Sequence, residues 1–189
     1  HHRVMIIEVM GHTAGWIALH AGVAGGGDII LIPEIPYDIN IIGDSVKERH
    51  KKGKRFSIVV IAEGAKPIGG EVVIQRIVNE SAVSIRLGVI CFVLGAQFER
   101  LTGVETRTVV MGHLLRGGSP TPFDRVLATI LGTRAVDMIK NKELGYMVGL
   151  KANSLVNVSL GIVAKGPRII PLNHPLIESA RSVGTCFGN

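Results

Sequence analysis

The chain alternates between short apolar runs and longer segments of mixed polarity. Four of the apolar runs are nearly continuous, as expected for strands of a parallel sheet covered on both faces: Val4–Met10, Ile29–Pro33, Phe56–Ala62 and Thr108–Met111. The segments around them predict helices at Trp16–Ala24, Asp38–Lys54, Glu71–Glu80 and Ser84–Arg100. This order predicts an α/β fold with three αβα layers around a mostly parallel sheet.

The last third of the chain continues with other elements. Pro122–Lys140 is amphipathic and predicts a long helix. The pattern then predicts two short strands, a final helix and a loose end, at Tyr146–Leu150, Leu155–Leu160, Pro175–Ser182 and Gly184–Asn189. Within the helix predicted at Ser84–Arg100, the apolar centre Val89–Leu94 is expected to be buried against the sheet.

The turn after the first strand is rich in glycine. Thr13 is the expected N-cap of the first helix, whose free backbone N–H groups are positioned to meet an anion. Gly11 and Gly15 have the alternative role of letting the helix pack closely on the sheet. Gly25–Gly27 predicts a helix C-cap and turn, and leaves Asp28 open to a ligand role.

Composition narrows the class of protein. A chain of 189 residues with 47% hydrophobic residues is globular, and no apolar run reaches the length of a membrane span, so we expect a cytoplasmic protein without a membrane partner. Cys91 and Cys186 lie far apart in the sequence and match no zinc motif, and we expect structural thiols, with a disulfide as the alternative. A net charge of +6 suits an anionic partner, namely nucleic acid, a phosphorylated metabolite or a missing acidic piece of the protein. Only 4% of residues are aromatic, which disfavours nucleic acid.

Polar side chains follow the ends of the predicted strands. Open α/β sheets bind ligands at the carboxyl ends of their strands, and Met10, Gly11, Glu63, His113 and Arg116 fall there, whereas two arginines stand at strand starts: Arg3 and Arg107. Arginines suit a phosphate dianion, and glutamate and histidine suit sugar hydroxyls. The pattern therefore indicates a polyol anion. The alternative is that the histidine caps a carbonyl and that the arginine and Glu63 are solvated.

Five segments together resemble the ATP- or pyrophosphate-dependent 6-phosphofructokinase family, specifically the C-terminal part of a subunit. They are Arg3–Trp16, Ile32–Glu34, Ile61–Gly64, Glu105–Arg107 and Gly112–Arg125. The resemblance implies a phosphotransferase of glycolysis. It would use Mg²⁺ to transfer a phosphoryl group from ATP or pyrophosphate to the 1-hydroxyl of fructose 6-phosphate, as a homo-oligomer, a dimer or tetramer.

The same resemblance implies roles for individual residues. Five would contact fructose 6-phosphate within one subunit: Met10, Gly11, Glu63, His113 and Arg116. Two would reach the 6-phosphate of the sugar bound to a neighbouring subunit: Arg3 and Arg107. Four match an effector site of allosteric bacterial members: Gly26, Asp28, Lys52 and Lys54. The basic end of the second helix has the alternative reading of a solvated face, and Phe56 replaces a histidine found in some allosteric members.

The resemblance also implies a division of the chain. Residues 1–115 would bind the sugar phosphate, 116–165 would pack on a missing donor domain, and 166–189 would return to the first part. The donor loops and the general base of the family lie upstream of Arg3, so the chain would supply the acceptor side and be inactive in isolation.

Three features depart from the family pattern. His12 replaces the arginine of the family's Met-Gly-Arg, which removes a permanent cation. The role of that cation would be lost, or partly kept when His12 is protonated. Residues 88–96 are more apolar than the family's amphipathic helix. His1 and His2 open the chain without an initiator methionine, which indicates a piece of a longer protein or a tag remnant. The alternative functions are a non-catalytic sugar phosphate-binding regulatory module and nucleic-acid binding through the basic helix end.

Overall fold

The computed structural model describes residues 3–77, 85–87 and 89–189. The chain forms two compact units. The first unit runs to Leu115 and resumes over Arg168–Asn189, and the second unit is Arg116–Pro167.

The first unit is built from six strands and four helices within the described residues. The strands are β1 Arg3–Val9, β2 Ile29–Leu31, β3 Phe56–Ala62, β4 Ile74–Ile77, β5 Ile85–Leu87 and β6 Thr106–Val110. The helices are α1 Trp16–Ala24, α2 Ile39–Lys51, α3 Ile90–Thr102 and α6 Pro175–Ser182. A short 3-10 helix, Gly112–Arg116, follows β6.

Four strands form a parallel sheet in the order β2-β3-β1-β6. Strand β1 is central, and Met5 pairs with Ile58 of β3 on one side and with Arg107 of β6 on the other. Because all four strands run in the same direction, their carboxyl ends meet at one edge of the sheet, which we call the carboxyl edge. The opposite edge is the amino edge.

Each face of the sheet is covered by two helices. Alternate strand residues such as Ile29 and Leu31 join one buried cluster with residues of α2 and α3, while Ile30 joins a second cluster with residues of α1 and α6. This alternation follows from the two-residue period of a strand. The predicted three-layer αβα fold with a parallel sheet is confirmed.

A buried carboxylate fixes the start of α3. Glu8, only 2% exposed, accepts the backbone N–H groups of Val89 and Cys91, each at 3.0 Å. The backbone at Val89 takes a left-handed φ of 64°, which a β-branched residue rarely adopts. The two charge-assisted hydrogen bonds therefore hold a strained residue at the helix N-terminus.

The helix predicted at Glu71–Glu80 is wrong over Ile74–Ile77, which form strand β4 and pair antiparallel with β5. The helix predicted at Ser84–Arg100 begins only at Ile90, since Ile85–Leu87 form β5. Two short runs that contain β-branched isoleucine pair here as a ladder, and this pairing outweighs the helical spacing of the sequence. Residues 78–80, Ser84 and Gly88 of these predictions lie outside the described residues.

The apolar centre of α3 is only partly buried. Ile90, Cys91 and Leu94 have no exposed surface, whereas Phe92 is 55% exposed and Val93 42%. A helix presents one face to the sheet, so a continuous apolar run cannot be buried throughout. The prediction of burial for Val89–Leu94 therefore holds for one face alone.

The chain end is packed rather than loose. Cys186 forms a parallel bridge with Ile29, and its carbonyl accepts the Ile30 N–H at 2.9 Å. Phe187 is 2% exposed and belongs to the cluster on the α1 and α6 side. The predicted loose end is wrong, because β2 offers its outer backbone groups to this segment.

The second unit contains α4 Pro122–Lys140, the antiparallel pair β7 Tyr146–Lys151 and β8 Ser154–Ser159, and α5 Leu160–Val163. Thr121 and Asp124 form a reciprocal capping box at the start of α4. The Glu143 carboxylate accepts hydrogen bonds from Arg134 and Asn157, each at 2.7 Å. The predicted long helix and both strands are confirmed, whereas α5 was not predicted.

Both cysteines are free thiols, as expected. Burial, and next the charge of the neighbouring Glu8, raises the pKa of the Cys91 thiol to about 12. This thiol stays protonated near neutral pH and is unreactive there. Among the described residues, no helix combines the length and the apolar character needed to cross a membrane.

We predict that Val89→Gly stabilises the first unit. Relief of the left-handed strain at Val89 outweighs the side-chain contacts that are lost, so the free energy of unfolding rises by about 0.5 to 1 kcal/mol. Urea denaturation followed by the fluorescence of Trp16, the chain's one tryptophan, measures this change. Val183→Gly is the matched control, because Val183 has a φ of −95°, and it should lower the stability slightly. A loss of stability in Val89→Gly would contradict the prediction.

Candidate functional site

Three chain segments meet at the carboxyl edge, after β1, β3 and β6. The Glu63 N–H donates to the Val9 carbonyl at 3.0 Å, which continues the pairing of β3 with β1. On the other side of β1, the Met111 N–H donates to the Glu8 carbonyl at 2.9 Å. The loops that follow the three strands therefore start side by side.

Glu63 is oriented by the neighbouring loop. Its Oε1 accepts the Gly11 N–H at 3.2 Å, and the Gly64 N–H donates to the Gly11 carbonyl at 3.0 Å. Its Oε2 has no hydrogen-bond donor within the described part of the chain. The half-buried carboxylate is thus held in one orientation with an oxygen available to a ligand hydroxyl.

Gly64 allows this close approach. A Cβ at Gly64 would lie 1.9 Å from the His12 carbonyl oxygen and 2.8 Å from that of Gly11. Backbone atoms cannot yield at such distances, so only glycine permits the two loops to touch. The sequence pattern indicates no separate role for Gly64, although Gly64 lies in the Ile61–Gly64 segment that resembles the family.

Four of the five predicted sugar-contacting residues fall at the carboxyl edge of the first unit, and the fifth, Arg116, begins the second unit. Met10, Gly11, Glu63 and His113 follow β1, β3 and β6 directly, and His113 is exposed in the short 3-10 helix. Arg116 is the last residue of that helix and the first residue of the second unit.

Arg3 and Arg107 lie at the amino edge, at the starts of β1 and β6. Both bind Glu105, through Arg3 Nε at 2.9 Å and an Arg107 terminal nitrogen at 2.5 Å. Strand β1 has seven residues, so about 20 Å separates the two edges at roughly 3.3 Å per residue. A small sugar phosphate cannot contact both edges of the same chain.

The residues that resemble an effector site also lie at the amino edge. They occupy the turn before β2 and the segment after α2: Gly26, Asp28, Lys52 and Lys54. Asp28 binds Arg49 at 2.7 Å and accepts the Ile58 N–H at 2.9 Å. Lys52 pairs with Glu48 at 2.6 Å. The two Asp28 oxygens therefore link the turn before β2 to α2 and to β3. The effector role of these residues stays a prediction.

The start of α1 is already occupied by a protein carboxylate. Gly15, and not the expected Thr13, is the N-cap residue, and its N–H donates to both oxygens of Glu34, at 3.2 and 3.1 Å. The anion expected at this helix start is thus supplied by the chain itself. The sequence pattern indicates no role for Glu34 beyond its place in the Ile32–Glu34 motif, because its partners are distant in sequence.

Within the described residues, no group of three or more histidine, cysteine, aspartate or glutamate side chains is close enough to hold a metal ion.

Comparison with known proteins identifies the family of the chain. The model of the family described as "Phosphofructokinase" matches residues 1–139. The chain is 47% identical over its full length to ATP-dependent 6-phosphofructokinase of Spirochaeta thermophila and 46% identical to ATP-dependent 6-phosphofructokinase 3 of Bacteroides thetaiotaomicron. It covers 52% and 51% of these proteins, and so spans about half their length.

Solved structures give the same result for the fold. Phosphofructokinase of Saccharomyces cerevisiae superposes with a TM-score of 0.69 at 31% identity, over 87% of this chain and 21% of that one. A pyrophosphate-dependent phosphofructokinase of Marinobacter aquaeolei has a TM-score of 0.69 over 98% of this chain and 48% of its own, at 22% identity.

We predict that Gly64→Ala destabilises the first unit. The added methyl group would force the β1 and β3 loops apart, at a cost of about 2 kcal/mol or more. Urea denaturation followed by Trp16 fluorescence measures the loss. Gly132→Ala in α4 adds the same methyl group where no atom lies within 4 Å, and it should leave the Trp16 transition unchanged. Wild-type stability of Gly64→Ala would show that the loops do not meet as described.

Proposed function

Because the chain belongs to the phosphofructokinase family, we propose that it is the fructose 6-phosphate-binding part of a 6-phosphofructokinase. The whole protein transfers a phosphoryl group to the 1-hydroxyl of the sugar, in the glycolysis of the cytoplasm. Relatives at 46% to 47% identity are named ATP-dependent, which favours ATP over pyrophosphate as the donor.

One observation carries the proposal: the carboxyl edge presents an oriented carboxylate beside a glycine backbone. Gly11 holds Glu63 through a 3.2 Å hydrogen bond. The other Glu63 oxygen accepts no hydrogen bond from the described residues, so it is ready to accept one from a sugar hydroxyl without rearrangement. Met10 and His113 line the same edge. The family resemblance also gives Arg116 a contact to the sugar phosphate. Binding to such a preorganised site costs little conformational entropy.

The 6-phosphate is bound by a second copy of the chain. Arg3 and Arg107 share one carboxylate, Glu105, so this group of three residues keeps a net positive charge that suits a phosphate dianion. Since the arginines lie at the edge opposite Glu63, a neighbouring subunit must bring its own pair to each sugar. A homodimer or homotetramer follows from this division.

The donor side belongs to the remainder of the protein. Residues 1–115 and 166–189 form the sugar phosphate part in this proposal, and 116–165 pack on the donor domain. The second unit exposes large apolar side chains, including Phe123 at 67% and Ile139 at 68%, as expected of a covered surface. The general base and the donor loops lie in that domain, and Mg²⁺ accompanies the donor there.

Two further roles complete the proposal. His12, exposed after Gly11, carries part of the role of the family's arginine near the transferred phosphoryl group when it is protonated. Gly26, Asp28, Lys52 and Lys54 form an allosteric effector site, in which the two lysines provide the positive charge for an anionic effector.

We predict that Glu63→Gln weakens fructose 6-phosphate binding. The amide still accepts the Gly11 N–H, but the charge that strengthens hydrogen bonds to sugar hydroxyls is lost, so binding falls by about 1.5 to 3 kcal/mol. Isothermal titration calorimetry of the purified chain measures the affinity, with fructose and inorganic phosphate as control ligands.

Glu71→Gln is the control variant, because Glu71 is exposed and lies outside the site. It should bind as the wild type does. Absence of fructose 6-phosphate binding by a folded, oligomeric wild-type sample, or equal binding by Glu63→Gln, would contradict the assignment. A monomeric wild-type sample is first brought to the oligomer by raising its concentration.

We also predict that two defective variants complement each other. Glu63→Gln impairs the sugar site at the carboxyl edge of the chain that carries it. Arg107→Ala instead impairs the contact from that chain to the 6-phosphate bound by its neighbour. In mixed dimers one site carries both changes and the other carries neither, so about a quarter of all sites in a randomised mixture bind normally. Calorimetric stoichiometry measures that fraction, and no recovery of tight sites would contradict the shared site.

A further inference from the structure

The Gly11–Gly15 loop joins β1 to α1 and is held at both ends by carboxylates. At its first end, the Gly11 N–H donates to Glu63. At its second end, the Gly15 N–H donates to both oxygens of Glu34. Glu63 belongs to the proposed sugar site, whereas Glu34 has no part in the function described so far.

Glu34 also binds the C-terminal segment, Arg168–Asn189. Its Oε1 accepts the Ile170 N–H at 2.9 Å. Beside this contact, the Trp16 indole N–H donates to the Arg168 carbonyl at 2.7 Å, and the Arg168 guanidinium lies 5.4 Å from the centre of the Trp16 ring. The start of α1 and the C-terminal segment are therefore joined through one carboxylate and one indole.

A carboxylate is the group that fits between these donors. Backbone N–H groups from Gly15 and Ile170 both point at Glu34, and both of its oxygens accept. A glutamine has only one acceptor oxygen, and its NH₂ group would face an N–H donor. The Glu34 charge also strengthens each hydrogen bond. Gly15 packs directly on Ile32, where a Cβ would lie only 2.5 Å away, so this end of the loop has one position.

We propose that Glu34 is a positioning residue for sugar phosphate binding. It fixes the Gly11–Gly15 loop, and it makes the position of that loop depend on the C-terminal segment. Glu34 does not touch the sugar and acts through Gly15. This inference rests on the proposed function, because it takes Gly11 and Glu63 as sugar contacts.

Thermodynamic linkage gives the proposal a specific signature. If the hydrogen bonds to Glu34 strengthen sugar binding, bound sugar must strengthen those hydrogen bonds by the same factor. The amide of Ile170, far from the sugar along the chain, should then become more protected when fructose 6-phosphate binds.

The first test compares Glu34→Gln with Glu178→Gln. Glu178 is exposed on α6 in the same C-terminal segment. Calorimetry should show fructose 6-phosphate binding weakened about tenfold in Glu34→Gln, the loss of one hydrogen bond to a charged group, and unchanged in Glu178→Gln. Binding of wild-type strength in Glu34→Gln would overturn this inference and leave the proposed function intact. No binding by the wild-type oligomer would overturn both.

The second test is hydrogen exchange at the Ile170 amide. Saturating fructose 6-phosphate should slow this exchange in the wild type and leave it unchanged in Glu34→Gln. A merely structural Glu34 predicts equal exchange with and without the sugar, and that result would overturn the proposal.

If Glu34→Gln does not fold, Trp16→Phe replaces it. Phenylalanine keeps an aromatic ring against Arg168 and removes only the indole donor to the Arg168 carbonyl. It should weaken fructose 6-phosphate binding in the same direction by a smaller factor. Unchanged affinity in Trp16→Phe would then overturn the proposal.

Discussion

The parallel pairing of β1 with β3 and β6 is the constraint on which the rest of the molecule depends. Because Glu8 pairs with Ile61 on one side and Val110 on the other, the three strands end within a few residues of each other. That register brings the Met10–Gly11, Glu63–Gly64 and Met111–His113 segments to one edge. The same register sends Arg3 and Arg107 to the opposite edge, and this separation is the reason for proposing that two chains share one ligand.

Buried and half-buried carboxylates then fix the irregular segments around this edge. Glu8 binds the start of α3, Glu34 the start of α1, and Glu63 the first residue of the Gly11–Gly15 loop. Each accepts backbone N–H groups that no helix or strand satisfies, and an unsatisfied buried N–H would cost about 1 to 3 kcal/mol. The geometry of the site is therefore set by backbone hydrogen bonds to side chains.

The sequence was sufficient to predict the parallel sheet and its carboxyl edge, because nearly continuous apolar strands alternate with helices in this part of the chain. Prediction from the sequence failed where the structure of a segment depends on a partner that is distant in the sequence. The local patterns of β4 and β5 predict helices, but the two segments pair with each other as strands. The local pattern at Cys186 and Phe187 predicts a loose end, but Cys186 pairs with β2 and Phe187 is buried in the core. Glu34 accepts a hydrogen bond from Ile170, which is 136 residues away in the sequence, and no local pattern predicts such a contact.

The most direct test of the account locates the ligand on the molecule. Backbone amide chemical shifts of the isotope-labelled chain would be followed by NMR during titration with fructose 6-phosphate at oligomer-forming concentrations. The account predicts that the largest changes fall on Gly11, Glu63, Gly64 and His113 at the carboxyl edge, with a second set at Arg3 and Arg107. Changes confined to the turn before β2 and the segment after α2, or no changes in a folded oligomer, would contradict it.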